Sequence, residues 1–434
     1  MTTSRVASTA PQAPPGPAAP IPPAPIPTAP IPTATTIPTR HPSGPCKIPA
    51  GLWAVGLLLG LRKPDRELFR HLGELLTVGD EPADRLVEWM HTAGMTQARP
   101  LFEQALENGI ASVTDAPAPL REFFEVYEKT PDWVDRDLIE EGARIMRSGG
   151  ADGLYVARDV ALLGGYQFSG FNQTLLRTGA LEKGSNKRFA ETTQWATDVI
   201  TENGLLPQGV GYRSTLHVRL IHAFVRRHVA ALPDWDSDAW GLPINQTDMA
   251  ATLIGALVSP SLGAVMMGLV NRPGEYDAVA HLTRYTGWLL GVRDEFLPRD
   301  FRHAIRVLHQ TSYVLSTPDE TTRQLSVPMA DDPLQWDYSR FAGLRRKIAR
   351  SQHLSITSAF LGRGAMRTLG LPFVLPWYPA IRFPVNIIRS IAAQRPGGRE
   401  RAAERGMAEQ REFMRIMAGG DATIGHAAKG ITGH

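Results

Sequence analysis

Only one of the 434 residues is a cysteine, Cys46, so intramolecular disulfides are impossible and a centre built on several thiolates is excluded. Net charge is scarce as well. The 46 Lys and Arg against 43 Asp and Glu leave +3, and no basic stripe with interleaved aromatics runs along the chain, so nucleic acid is not an expected partner. Sustained period-two alternation is almost absent, which argues against sheets. The start, Met1-Thr2-Thr3-Ser4-Arg5, lacks a twin arginine and an apolar core before a cleavage site, so a secretory signal is not expected and a cytoplasmic location is. Long apolar runs are few. Leu52 to Leu61 is too short to span a bilayer. Met249 to Val270 is long enough, but Thr252, the Ser259-Pro260-Ser261 break and three glycines interrupt it, so it reads as a buried helix pair.

Proline is plentiful, and it is concentrated at one end. Residues 7 to 46 are Pro-Ala-Thr low complexity with the repeat Ala-Pro-Ile-Pro-Thr, too poor in large apolar side chains to build a core. Residues 1–46 therefore read as a disordered arm. From Leu52 onward the spacing is helical: Leu68, Phe69, Leu72, Leu75 and Leu76 share a face, and Asp80 to Met95, Leu120 to Tyr127 and Asp135 to Met146 repeat the style. The expectation is an all-α fold, a single large helical domain over 47–395, followed by a charged helix and flexible tail over 396–434. The segment Leu371 to Ile391 carries Pro372, Pro376, Pro379 and Pro384 and should not form one regular helix. Its aromatics with Arg382 and Arg389 suit either peripheral membrane contact or core packing.

One helix concentrates unusual chemistry. Thr215 to Ala231 places Val218, Ile221 and Val225 on an apolar stripe with His222 beside it, and Arg219 and Arg226 on the face of His222. Ser214 or Thr215 would cap it and Pro233 would close it. Buried guanidiniums need anions, and this helix offers no carboxylate, so the anions come from another element or from a ligand such as the propionates of a haem. A satisfied core histidine and structural ion pairs are the other reading. The preceding helix, from Ser185 to before Gly204, aligns Arg188, Thr192, Trp195 and Val199, with Glu191 in reach of Arg188. This is either a pocket wall or a structural ion pair. Upstream, Gly164-Gly165 and Gly170 inside a helical pattern fit close approach by a backbone or a flat ligand.

Taken in order, Arg188-x-x-Glu191-Thr192, Arg219-x-x-His222-x-x-x-Arg226, Trp240 to Asp248, His281 and Trp288 to Val292 resemble the family of latex-clearing proteins (rubber oxygenases) and ER-bound oxygenases of mycophenolic acid biosynthesis. The resemblance implies a globin-like helical core around haem b, with His222 as the proximal iron ligand and Arg188 and Thr192 near the haem. It implies an oxygenase, a haem-dependent oxidoreductase that uses O2 to cleave double bonds in a hydrophobic isoprenoid or lipid, or to carry out a related oxidation. The chain departs from the latex-clearing pattern at Glu191, where those proteins carry a lysine that can sit distal to the iron. A carboxylate there suits an acid/base role, and a smaller substrate than an extracellular polymer is expected. The contrasting expectation is a haem-free helical lipid-binding or membrane-associated protein. No partner protein is indicated.

Overall fold

Short polar residues start several of the helices. Asp65 accepts from Leu68 N at 2.9 Å, Asp135 from Asp137 N and Leu138 N, Asn245 from Asp248 N, and Asp300 from His303 N, each satisfying amides that a helix start leaves free. The computed structural model describes residues 36–418 except 180, 182 and 183, and among them every regular element is a helix. The all-α expectation holds.

The helix Val210–Ala230 is buried nearly all round, by Tyr212, Leu216, Leu220, Phe224 and Val229 among others, and is roughly 30 Å long. Glu81–Ala93, Met95–Asn108, Ser185–Ile200 and Pro273–Leu289 pack around it, so this rod is the axis of the core. It starts earlier than the sequence suggests. Ser214 and Thr215 do not cap it but sit inside, their hydroxyls returned to the Gly211 carbonyl at 3.3 and 2.6 Å. Farther out, Arg136–Ser148 lies so close on Pro273–Leu289 that a Cβ at Gly142 would strike the Ala278 carbonyl. Gly398–Ala418 packs on Arg136–Ser148, Gly150–Val156 and Ser185–Ile200. This C-terminal charged helix is therefore part of the helical body, and the tail expected beyond it, 419–434, lies outside the described residues.

The Met249 to Val270 stretch forms two helices, Gln246–Leu257 and Ser259–Met266, bent by 43° at the break before Pro260. No single described helix is long and apolar enough to cross a membrane. The proline-rich segment is not one regular helix, as expected, but most of it is helical. After an irregular 371–376, one helix runs from Trp377 to Ala393 through Pro384. Pro379 falls in its first turn, where an amide would be unpaired in any case.

The arm also departs from the sequence reading. Residues 1–35 lie outside the described residues, but the stretch up to Cys46 is bound to the domain. Thr39 N and Arg40 N donate to the Asp238 and Ala239 carbonyls, Cys46 N donates to the Tyr313 carbonyl, and Arg40 pairs with Asp248 at 2.7 Å. The Arg40 guanidinium also fills the space that a side chain at Gly170 would need, which explains that glycine by close approach.

Candidate functional site

Three carboxylates at intervals of four residues define one wall of the site. Asp80, Asp84 and Glu88 rise along the helix Glu81–Ala93 and its N-cap, and each meets an arginine of the axial helix. Arg219 binds Asp80 through Nε at 2.6 Å and Nη2 at 2.7 Å. Arg226 donates from Nε to Asp84 at 2.8 Å and from Nη1 to the Ile244 carbonyl at 2.7 Å. Arg227 pairs with Glu88. The anions for Arg219 and Arg226 are thus supplied by another element of the protein, and a ligand's acid groups are not needed to neutralise them. Each retains one buried nitrogen without a partner, Arg219 Nη1 and Arg226 Nη2.

His222 sits between these two pairs. Its Nδ1 is buried and unpartnered, and the residue as a whole is half-buried. Burial first, and the Arg226 charge second, push its pKa down to about 4 against the opposing pull of Asp80. The imidazole is therefore neutral over the physiological range, with lone-pair character that a protonated ring lacks. Among the described residues no group of three or more His, Cys, Asp or Glu side chains could hold a metal ion.

The helix Ser185–Ile200 lies alongside, joined to the axial helix by Trp195 Nε1 donating to Thr215 Oγ1 at 3.1 Å. Of the expected inward stripe, Val199 is buried and Trp195 packs on the core, but Thr192 is exposed and its neighbour Thr193 is the buried threonine. Arg188 and Glu191 are half-buried, and of the two readings of this helix the intrahelical ion pair is not formed among the described residues. Arg188 instead lies beside the buried Tyr166 hydroxyl, where its hydrogen bond and charge partly offset the upward push of burial on that phenol.

The Trp240 to Asp248 stretch is structural in its contacts. Asn245 caps the next helix, Thr247 donates to the Leu72 carbonyl, and Gln246 donates to the carbonyls of Gly79 and Gly291 on either side of Asp80. At Gly291, with φ +77°, a side chain would run into Asp80 and Arg219. His281 is engaged elsewhere, its Nε2 accepting from Asp135 N at 2.9 Å. Sequence reasoning missed Asp80, Asp84 and Glu88, although their four-residue spacing on a helix was the available signal.

Residues 154–394, which contain His222 and Arg188, Glu191 and Thr192, match the family described as ER-bound oxygenase mpaB/B'/Rubber oxygenase, catalytic domain. A rubber oxygenase of Streptomyces sp. (strain K30) is 25% identical over 226 residues, which are 51% of this chain and 55% of that protein. The matched stretch thus spans about half the length of this curated relative. A latex clearing protein, LCP, solved in its closed state, superposes with a TM-score of 0.61 at 21% identity, covering 78% of this chain and 91% of that one. The helical architecture is shared with it.

Proposed function

Since the chain belongs to the family of ER-bound oxygenases mpaB/B' and rubber oxygenases, we propose that it is a haem b-dependent oxygenase that acts with O2 on a hydrophobic isoprenoid or lipid, His222 being the iron ligand. The observation that carries this reading is the His222 imidazole: neutral, without a hydrogen-bond partner at Nδ1, and held between two ion-paired arginines inside the matched span. A haem brings its own four nitrogens, so one protein imidazole suffices to hold it. When bound, the haem supplies the oxygen chemistry, including oxidative cleavage of a double bond or a related oxidation.

The chain's residues supply position and polarity. The Asp80–Arg219 and Asp84–Arg226 pairs fix the axial helix in rotation and height, and with it the imidazole. Arg219 and Arg226 thus act as positioning residues. Arg188, beside the Tyr166 hydroxyl, offers a cation at the wall formed by Ser185–Ile200. Glu191, free of Arg188, is the acid/base, its carboxylate taking or returning a proton, and Thr192 offers a hydroxyl one residue on.

An uncharged surface fits an apolar substrate. Ile381, Val385, Ile388 and Ile391 recur at helical spacing on Trp377–Ala393 and are 59, 40, 68 and 59% exposed. Arg382 and Arg389 turn inward to Asp152 and Glu409 rather than flanking the stripe. This stripe is the face for peripheral contact with a hydrocarbon surface from which substrate is drawn.

The test is an absorption spectrum of protein expressed with ample haem. A Soret band that is lost in His222→Ala while the helical circular dichroism persists supports the reading. Its absence in the wild type, or its retention in the variant, would defeat it. Product analysis with isoprenoids under O2 then separates cleavage from hydroxylation.

A further inference from the structure

The helix Ser185–Ile200 has a second neighbourhood, formed where Phe189 packs with Trp336 and Phe413. Beside it lies a cleft of about 440 Å³ whose walls include Tyr155, Trp336, Tyr338 and Phe413, with His353 also lining it. The imidazole of His353 is 2% exposed and stands edge-on to Tyr155 and Trp336 and stacked with Phe413, with ring centroids at 5.0, 4.9 and 6.2 Å.

The polar groups around that imidazole are arranged with care on one side and left open on the other. Residues Ala157–Leu162 form a π-helical turn, a widened geometry found mostly at functional positions because it re-aims side chains. It carries Arg158 and Asp159, 1% and 0% exposed. Asp159 Oδ1 accepts from Arg158 Nη1 at 2.7 Å, and Oδ2 accepts from His353 Nδ1 at 2.5 Å. The Nδ1 edge thus faces the carboxylate, and the opposite edge, with Nε2, faces away from it. Burial lowers the pKa of His353 and outweighs the pull of Asp159, so the ring is neutral, Nδ1 holds the proton and Nε2 is an acceptor. Yet Nε2 is buried with no partner. Buried polar atoms seldom lack one.

The lining also specifies the class of ligand. Aromatic walls favour a flat ring system, and one buried acceptor calls for one hydroxyl. The carboxylates at the cleft, Glu409 and Glu412, are paired with Arg389 and Arg415, and Arg405 stands at its rim in an exposed position, so no unpaired charge lies on the buried wall beside His353 and the cleft does not call for a charged ligand. We propose that this cleft is a second binding site, for an uncharged aromatic alcohol of the phenol class whose hydroxyl donates to Nε2 of His353. The inference goes beyond the haem reading and stands whether or not His222 holds a haem.

The experiment is calorimetric titration of the full chain with 2-naphthol and with 2-methoxynaphthalene, which keeps the ring system and lacks the donor. Expected are saturable one-to-one binding of 2-naphthol, at least tenfold weaker binding of the ether, and at least tenfold weakening of 2-naphthol by His353→Phe. Ala408 lines the cleft from an exposed helical position, so Ala408→Trp fills the space without touching the core and should also weaken binding at least tenfold. That variant keeps the test decisive if His353→Phe does not fold. His222→Ala should leave 2-naphthol binding unchanged. The proposal is overturned if 2-naphthol shows no saturable binding, if the ether binds equally well, if Ala408→Trp has no effect, or if binding is lost in His222→Ala.

Discussion

Arg219 meets Asp80 through two parallel hydrogen bonds, both side chains at most 3% exposed, while the guanidinium carbon lies 4.8 and 4.5 Å from the ring centres of Phe123 and Tyr127. The fork geometry fixes direction as well as distance, so the axial helix cannot rotate without breaking both bonds. Because the pair is buried, removing one member strands the other charge. Asp80→Ala should cost about 3–5 kcal/mol of stability. Asp84→Ala should cost less, roughly 1–3 kcal/mol, since Asp84 is 18% exposed and Arg226 keeps the Ile244 carbonyl. Urea unfolding midpoints check the order; equal losses would show that burial does not govern these pairs.

Acid should weaken the haem-free protein through His222. Its pKa falls from an ordinary 6.5 to about 4 on folding, so between those values the unfolded chain binds the proton and the folded chain does not. Stability from this group is therefore complete above pH 6.5 and declines as pH falls toward 4. Between pH 7 and 5 the loss is about 2 kcal/mol. Other histidines contribute too, so the measurement is the difference between wild type and His222→Phe in unfolding free energy at the two pH values. A variant with the same pH dependence as the wild type would remove His222 from the account.

Part of this arrangement is legible in the sequence, and the part that is not has a physical cause. Helical periodicity alone put Arg219, His222 and Arg226 on one face, since that relation is local. Their partners lie 139 to 142 positions away, and no local spacing pairs Asp80 with Arg219 or Asp84 with Arg226. The mistaken cap at Thr215 has a similar origin, because a threonine hydroxyl serves a helix start and an i−4 carbonyl equally well. Composition read residues 39–46 as free arm, yet Arg40 reaches Asp248, a contact made by one side chain in a segment otherwise like its neighbours. The Asp159–His353 pair was invisible, since a π-helical turn leaves no mark in an apolar pattern that continues on both sides of it.

Glu191 offers the clearest test of chemistry as distinct from assembly. It is half-buried and makes no ion pair with Arg188, so on the proposed haem reading its removal should leave the fold and the haem content as they are. Glu191→Gln keeps the shape and loses the proton site, and should slow substrate oxidation by roughly 10²-fold or more. Product formation per haem, with the Soret absorbance as the denominator, is the measurement. Full activity in this variant would assign the proton step to another group.

The exposed stripe on Trp377–Ala393 should behave as a hydrophobic contact and not an electrostatic one. Its four aliphatic residues lie on one face without an unpaired charge between them, because Arg382 and Arg389 are bound inward. Burying one such side chain contributes about 2 kcal/mol, so Ile388→Asp should weaken association with neutral phosphatidylcholine vesicles at least tenfold. The same association should change little between low and high salt, since screening acts on charges and the stripe itself is aliphatic. Cosedimentation with vesicles at two salt concentrations reads both effects. Binding that collapses in salt would trace to the basic residues elsewhere, and binding unaffected by Ile388→Asp would move the contact to another face, such as Trp53, Leu57 and Leu58 on Ala50–Leu58.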